Sequence, residues 1–255
     1  MAIADIGVFG GSGFYAFLDD VEEVPLDTPF GAPSSPLLVG DFDGRRVAFL
    51  PRHGADHRWP PHRINYRANV DAMRQAGVGA IFGPCASGSL HKDVAPGHFV
   101  VVDQFVDRTW GRPDSFWDEG TPDHVAMADP YDERLRRVAI DACRAEDVTV
   151  HDAGTVVVIQ GPRFSTRAES QWFSRQGWTV VNMTQHPEAA LANEARIPYA
   201  SIALITDYDA GLEDDPDVPA VTQDEVFAFF QQNVESVRRV LFRAIAAVPD
   251  ELLPR

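Results

Sequence analysis

The sequence predicts one α/β domain. Three observations carry the prediction: short apolar runs closed by Gly or Pro alternate with stretches of helical spacing, 45% hydrophobic content over 255 residues suffices for a core, and no linker or shift of composition divides the chain. In order, Ile3 to Phe9 reads as a strand running into Gly10-Gly11-Ser12-Gly13, followed by strands at Pro36 to Val39 and Arg46 to Leu50 before Pro51. Ala68, Val70, Ala72, Met73 and Ala76 are spaced as one helical face that stops at Gly77, and Ala80 to Gly83 and Phe99 to Phe105 return to strand character. The second half repeats the alternation, with helices over Glu133 to Ala145, from Thr166, from Pro187 to Glu194, and Gln223 to Ala247. Strands are expected at Thr155 to Gln160, Thr179 to Asn182 and Tyr199 to Thr206. The pattern implies a largely parallel central sheet within a single domain covering 1–255.

Charge and composition exclude several classes of partner. The chain carries 38 acidic against 22 basic residues, a formal charge of −16, with Lys92 its one lysine. Such a field repels nucleic acid and anionic lipid. The longest apolar stretches, such as Val156 to Ile159 and Ile202 to Ile205, are strand-sized, so no membrane span is expected. The N-terminus lacks a basic segment ahead of an apolar one, and Cys85 and Cys143 are the only cysteines; both observations point to the cytoplasm.

Ligands of open α/β sheets gather where strands end, which directs attention to five places. Gly10-Gly11-Ser12-Gly13 offers backbone N–H groups suited to a phosphate-sized anion, or else is a tight turn. Arg52-His53 sets a permanent cationic fork beside a switchable donor. Pro84 to Ser89 and Asn182-Met183-Thr184 follow further strands. Asp207-Tyr208-Asp209 ends an apolar strand, and reads either as an acidic loop or as a carboxyl with a raised pKa able to donate a proton. His53, His57 and His62 have metal-like spacing, but Gly54, Pro60 and Pro61 argue against the helix that would align them, so no metal is expected.

Taken together and in order, these segments resemble the trimeric purine nucleoside phosphorylase family and, within it, the S-methyl-5′-thioadenosine phosphorylase branch. The resemblance rests on Ile6 to Gly13, Asp27 to Gly31, Arg52 to Gly54, Asn65 to Asn69, Asp103 to Thr109, Gly161 to Ser170, Asn182 to Thr184 with Pro187-Glu188, and Thr206 to Asp209. It implies a distorted mixed central sheet flanked by helices, a homotrimer, and phosphorolysis of methylthioadenosine to adenine and 5-methylthioribose 1-phosphate. Inorganic phosphate is then a co-substrate and no cofactor is needed.

The same resemblance implies a phosphate site from Ser12, Arg52, His53, Cys85, Ala86 and Thr184. It places Met183 beneath the ribose, Asn182 among the substrate-binding residues, Phe164 near ribose or base, Asp207 as proton donor to purine N7 and Asp209 on the 6-amino group, with Ser165 and Gln223 setting specificity. His124 would reach a neighbouring subunit's 5′ pocket. Two aspartates favour adenine over a 6-oxopurine, whose O6 would oppose a second acceptor. Cys85 stands where the family commonly has Thr, exchanging a hydroxyl for a weaker thiol donor. Gln223 enters through a longer, acidic segment and makes a broader purine nucleoside or 5′-modified deoxyadenosine phosphorylase the competing expectation. A non-enzymatic purine- or phosphate-binding protein would not need Asp207 together with Arg52 and His53.

Overall fold

In the computed structural model, which describes residues 2–11, 18, 20–212, 215 and 218–254, strand β1 (Ile6–Gly10) is buried along its whole length. It pairs in parallel with β4 (Arg45–Pro51) and β5 (Ala80–Phe82). Around it a six-stranded sheet runs β12-β5-β1-β4-β3-β2, with β2 at Glu22–Val24, β3 at Leu37–Phe42 and β12 at Tyr199–Ala200. A seven-stranded sheet runs β8-β10-β11-β6-β13-β7-β9. Its members are β6 (Cys85–Ser89), β7 (Phe99–Val101), β8 (Gln104–Arg108), β9 (Val150–His151), β10 (Thr155–Ile159), β11 (Val180–Asn182) and β13 (Ile202–Asp207).

The two sheets are joined where the chain steps across twice. β5 passes into β6 through Gly83-Pro84, and β12 passes into β13 through Ser201. At this seam Gly83 N donates to Ala200 O at 2.9 Å and Ser201 Oγ to Gly83 O at 2.9 Å. The result is the bent, mixed sheet that the family resemblance implies, in place of the largely parallel one that alternation alone suggests. Antiparallel pairing occurs between β2 and β3, β3 and β4, β6 and β11, and β7 and β13. The β3–β4 hairpin is closed by Asp43-Gly44, both at positive φ (48° and 75°), the backbone a two-residue hairpin turn requires.

Two expectations need correction. The run Phe99 to Phe105 is not one strand, because Asp103 Oδ1 accepts from Gly154 N at 2.9 Å and Arg136 Nε donates to Val102 O at 3.1 Å, diverting the chain between β7 and β8. Pro84 to Ser89, expected as a segment that follows a strand, is itself mostly strand, since Cys85–Ser89 forms β6 between β11 and β13. Small residues hid it, for Cys-Ala-Ser-Gly-Ser has no apolar alternation.

Helices cover both faces. α1 (Tyr66–Ala76) and α4 (Gln185–Glu194) pack together over a core containing Phe9, Val70, Met73, Leu191 and Val158. α2 (Glu133–Ala145) and α5 (Gln223–Ala246) cover the opposite face with Leu135, Val237, Leu241 and Ile245 against Val8, Phe82 and Leu204. α3 (Arg167–Arg175) caps a smaller cluster of Val157, Val181 and Phe173. Each large apolar side chain removed from water stabilises the fold by about 1.5–3 kcal/mol. Sequence sets the helix starts: Asp132 and Asn65 cap α2 and α1, while Thr166 with Glu169 and Thr222 with Glu225 form reciprocal caps on α3 and α5. No helix among the described residues is long and apolar enough to cross a membrane.

Candidate active site

The sequence-singled residues converge because β6 lies between β13, its parallel neighbour, and β11, its antiparallel one. This arrangement brings the carboxyl ends of β11 and β13 to opposite ends of β6. A cavity of about 290 Å³ therefore extends along β6. Cys85 and Gly88 mark its two ends, separated by roughly 10 Å at the strand rise.

At the Gly88 end stand two carboxyls. Asp207 pairs with Gly88 across a register shift in β13, and its Oδ1 accepts from Asp209 N at 2.7 Å while Oδ2 accepts from Thr206 Oγ1 at 2.6 Å. A Cβ on Gly88 would lie 2.8 Å from Asp207 Oδ1 and 3.2 Å from Asp209 Cα, so only glycine admits both residues. Asp209 has φ 50°, a backbone that Asp tolerates better than most side chains. Burial pushes both carboxyls above their usual range; hydrogen bonds from Thr206 and Asp209 N oppose it at Asp207, and the Ser170 and Ser165 hydroxyls oppose it at Asp209. The two hydroxyls lie near the carboxyl without closing a well-formed bond: Asp209 Oδ2 and Ser165 Oγ are both buried with no partner in hydrogen-bond geometry among the described residues. An acceptor left open beside the cavity is a site for a ligand N–H.

At the other end the Arg52 side chain is held from inside the protein. Arg52 is fully buried and its fork faces Glu188 rather than the cavity: Nε to Oε2 and Nη2 to Oε1 are both 2.7 Å, and Nη1 donates to Pro84 O at 2.9 Å. A guanidinium sealed from water requires such a counter-charge, which raises its pKa further. Glu188 Oε1 also accepts from Tyr199 Oη at 2.6 Å. Arg52 borders the cavity with the edge that remains, so its bidentate grip is spent inside the protein. His53, 4% exposed, shares an Nδ1 hydrogen bond of 2.9 Å with Trp59 O, and burial holds its pKa down at about 3. His57 stacks on it with ring centroids 4.7 Å apart and meets Phe227 of α5 edge-on at 5.3 Å.

Cys85 borders the cavity too, but its sulfur is engaged by Asn182 Nδ2 at 3.4 Å and lies 3.6 Å from Ser87 Oγ and 3.7 Å from Ser201 Oγ. Ala86, Asn182, Met183 and Thr184 complete that wall, and the Thr184 hydroxyl has no partner among the described residues. Phe164 and Gln223 border the cavity, Gln223 at the first position of α5 beside Val226 and Phe227. Those two apolar residues thus face the cavity. Ser165 lies behind Asp209, His62 does not border the cavity, and His124 is exposed on the irregular segment following β8. Ser12 lies outside the described residues.

Two contributors were not legible from sequence. Glu188 stands 136 residues from Arg52, and only its place after Pro187 drew notice. Arg112 is buried and donates to the carbonyls of Met183 at 2.9 Å, His186 at 2.6 Å and Gln160 at 2.8 Å, tying together β10, β11 and the start of α4 beneath the cavity. An arginine between Gly and Pro offers no pattern that betrays this.

The comparisons agree with the geometry. The family model described as the phosphorylase superfamily matches residues 5–246. A purine nucleoside phosphorylase of Streptomyces coelicolor is 53% identical over 96% of the chain and 90% of its own length. An S-methyl-5′-thioadenosine phosphorylase of Mycolicibacterium smegmatis is 51% identical over 96% of the chain and 92% of its own. Among solved structures, methylthioadenosine phosphorylase from Schistosoma mansoni in complex with adenine superposes with a TM-score of 0.90 at 39% identity, covering 96% of this chain and 92% of that one.

Proposed function

The chain belongs to the phosphorylase superfamily, and from that membership we infer that it is a pentosyltransferase cleaving S-methyl-5′-thioadenosine with inorganic phosphate to adenine and 5-methylthioribose 1-phosphate. The observation that carries this reading is the elongated cavity with a buried pair of raised carboxyls at one end and Arg52, His53 and Thr184 at the other. A nucleoside spans that distance, its base at Asp207 and Asp209 and its anomeric carbon toward the anion end.

Phosphate lies against Arg52, His53, the backbone of Cys85 and Ala86, Thr184 and, by family likeness, Ser12. One of its oxygens attacks C1′ as the bond to the purine stretches. Asp207, whose pKa burial raises, delivers a proton to N7, so that adenine leaves neutral. Asp209 Oδ2 accepts from the 6-amino group, with the Ser165 hydroxyl alongside; Asn182, Met183 and Phe164 enclose the ribose, and Gln223 borders the 5′ substituent. The reaction needs no cofactor or metal.

His124 is exposed and stands apart from the cavity of its own chain, which supports the reading that it closes a neighbour's 5′ pocket in a homotrimer acting in the cytoplasm. Light scattering at assay concentration should give three times 28.1 kDa; a fully active monomer excludes it.

The deciding experiment assays methylthioadenosine, adenosine, inosine and methylthioinosine with and without phosphate. Adenine release from the two adenine nucleosides that depends on phosphate is expected; equal release without phosphate identifies a hydrolase and overturns the reading. The naming of the Streptomyces coelicolor relative as a purine nucleoside phosphorylase and the polar Gln223 favour a second reading, a broader nucleoside range, recognised by comparable turnover of inosine.

A further inference from the structure

The anion end of the cavity carries little net positive charge. Arg52 is cancelled by Glu188 in a pair sealed from water, and the chain's one lysine, Lys92, pairs at the surface with Asp215. Two carboxyls lie at the far end. Charge alone therefore does not hold an oxyanion here; hydrogen bonding must do more of the selecting.

The ring of His53 decides what kind of hydrogen bond is offered. Its Nδ1 lies 2.9 Å from Trp59 O, a carbonyl that can only accept, so the N–H of the neutral ring sits on Nδ1. Nε2 then presents a lone pair. It is neither engaged by another described residue nor among the buried polar atoms left without partners, and the ring borders the cavity. Burial does most to keep it neutral, against the pull of the Trp59 carbonyl, and the Arg52 guanidinium next in sequence and the stacked His57 ring at 4.7 Å add to it. A bare oxygen of a fully deprotonated anion meets that lone pair with repulsion. An oxygen carrying a proton meets it as a donor.

We propose that His53 makes this a site for a proton-bearing tetrahedral oxyanion, Nε2 accepting from the P–O–H of hydrogen phosphate while a different, unprotonated oxygen faces C1′. The proton stays on phosphate throughout binding. The proposal rests on the phosphorolysis reading and deepens it, since it assigns the polarity of one contact and the orientation of the nucleophile. Phosphate carries at least one proton at neutral pH and sulfate carries none, although the two are alike in shape. The site thereby distinguishes them as a matter of donor and acceptor rather than of size.

The test compares sulfate as a competitive inhibitor with phosphate as substrate at pH 7.5. In the wild-type protein the sulfate inhibition constant should exceed the phosphate KM by about tenfold or more, and in His53→Gln, whose amide can turn its N–H toward the anion, the ratio should fall to within about threefold. Nitrogen NMR of the phosphate-bound wild-type protein should show His53 as the neutral Nδ1–H tautomer. Sulfate binding as tightly as phosphate, an unchanged ratio in His53→Gln, or an imidazolium at His53 each overturns the proposal. Should the variant fail to fold, the wild-type ratio and the NMR tautomer decide alone. Phosphate-dependent turnover without anion selectivity removes this inference only, whereas turnover without phosphate removes the phosphorolysis reading itself.

Discussion

Arg52 and Glu188 meet through two parallel contacts of 2.7 Å, and neither side chain is more than 1% exposed. Removing one partner leaves a buried charge alone, which costs about 3–5 kcal/mol, whereas replacing both with apolar residues of similar size costs far less. Arg52→Met and Glu188→Leu should each lower the denaturant midpoint strongly, and the double variant should recover much of the loss. Additive losses would show that the two residues act independently. The milder Arg52→Lys should fold and raise the phosphate KM, because an ammonium cannot keep both arms on Glu188 and still reach the cavity edge.

Asp207→Asn is expected to lose about 10²–10⁴-fold in kcat on methylthioadenosine, since an amide cannot deliver a proton. Burial raises the carboxyl pKa, so the protonated acid is present at low pH and is lost as pH climbs through the raised value. The wild-type rate should therefore fall on the alkaline side of that value, and the limb should vanish in the variant. Wild-type turnover in Asp207→Asn excludes the role.

What the sequence concealed follows a physical pattern. α2 is found at Glu133–Ala145, where its apolar spacing puts it, because an amphipathic helix is specified by neighbours three and four positions away. β6 was invisible, because its identity as a strand comes from β11 and β13, met far along the chain. Arg52 and His53 could be placed at a strand end, yet not the direction of the guanidinium, which depends on Glu188, nor the tautomer of the imidazole, which depends on a carbonyl in the following turn. Residue types located the site; partners distant in sequence decided what each residue does there.

Gln223 borders the cavity at the first turn of α5, with its own exposure to solvent. Gln223→Val should shift the ratio of kcat/KM values toward methylthioadenosine and away from adenosine by about tenfold, the effect of removing an amide that can pair with a 5′-hydroxyl. An unchanged ratio means that the side chain points to water.

Arg112→Met takes a donor from four buried or part-buried carbonyls, those of Met183, His186, Ile159 and Gln160. Each unpaired buried acceptor costs about 1–3 kcal/mol before relaxation. On the proposed placing of Met183 beneath the ribose, the nucleoside KM should rise more than the phosphate KM, and Arg112→Lys should restore part of the melting temperature. Equal changes in both KM values would contradict a role beneath the ribose.

Acid should loosen the protein through His53. Its folded pKa of about 3 lies below the ordinary 6.5, so between these values the unfolded chain binds a proton that the folded chain refuses. Stability present above pH 6.5 is lost as pH falls toward 3. His57, His151 and His186 are shifted the same way, while Asp207 and Asp209 act in the opposite direction. Melting temperatures recorded from pH 7.5 to 5 should decline less steeply in His53→Asn than in the wild type; parallel curves would exclude its contribution.

The strand of small residues at the centre of the sheet bears on how ligand and stability are linked. Where a typical interior strand would project Val or Ile into its surroundings, Cys-Ala-Ser-Gly-Ser projects little and leaves room for the cavity that runs beside it. A ligand bound there packs on β6 as side chains of a neighbouring element would. Ligand at a hundred times its dissociation constant should add about 2.7 kcal/mol to unfolding, and the gain should spread to amide exchange in β11 and β13, which flank β6, rather than stay with the side chains that touch the ligand.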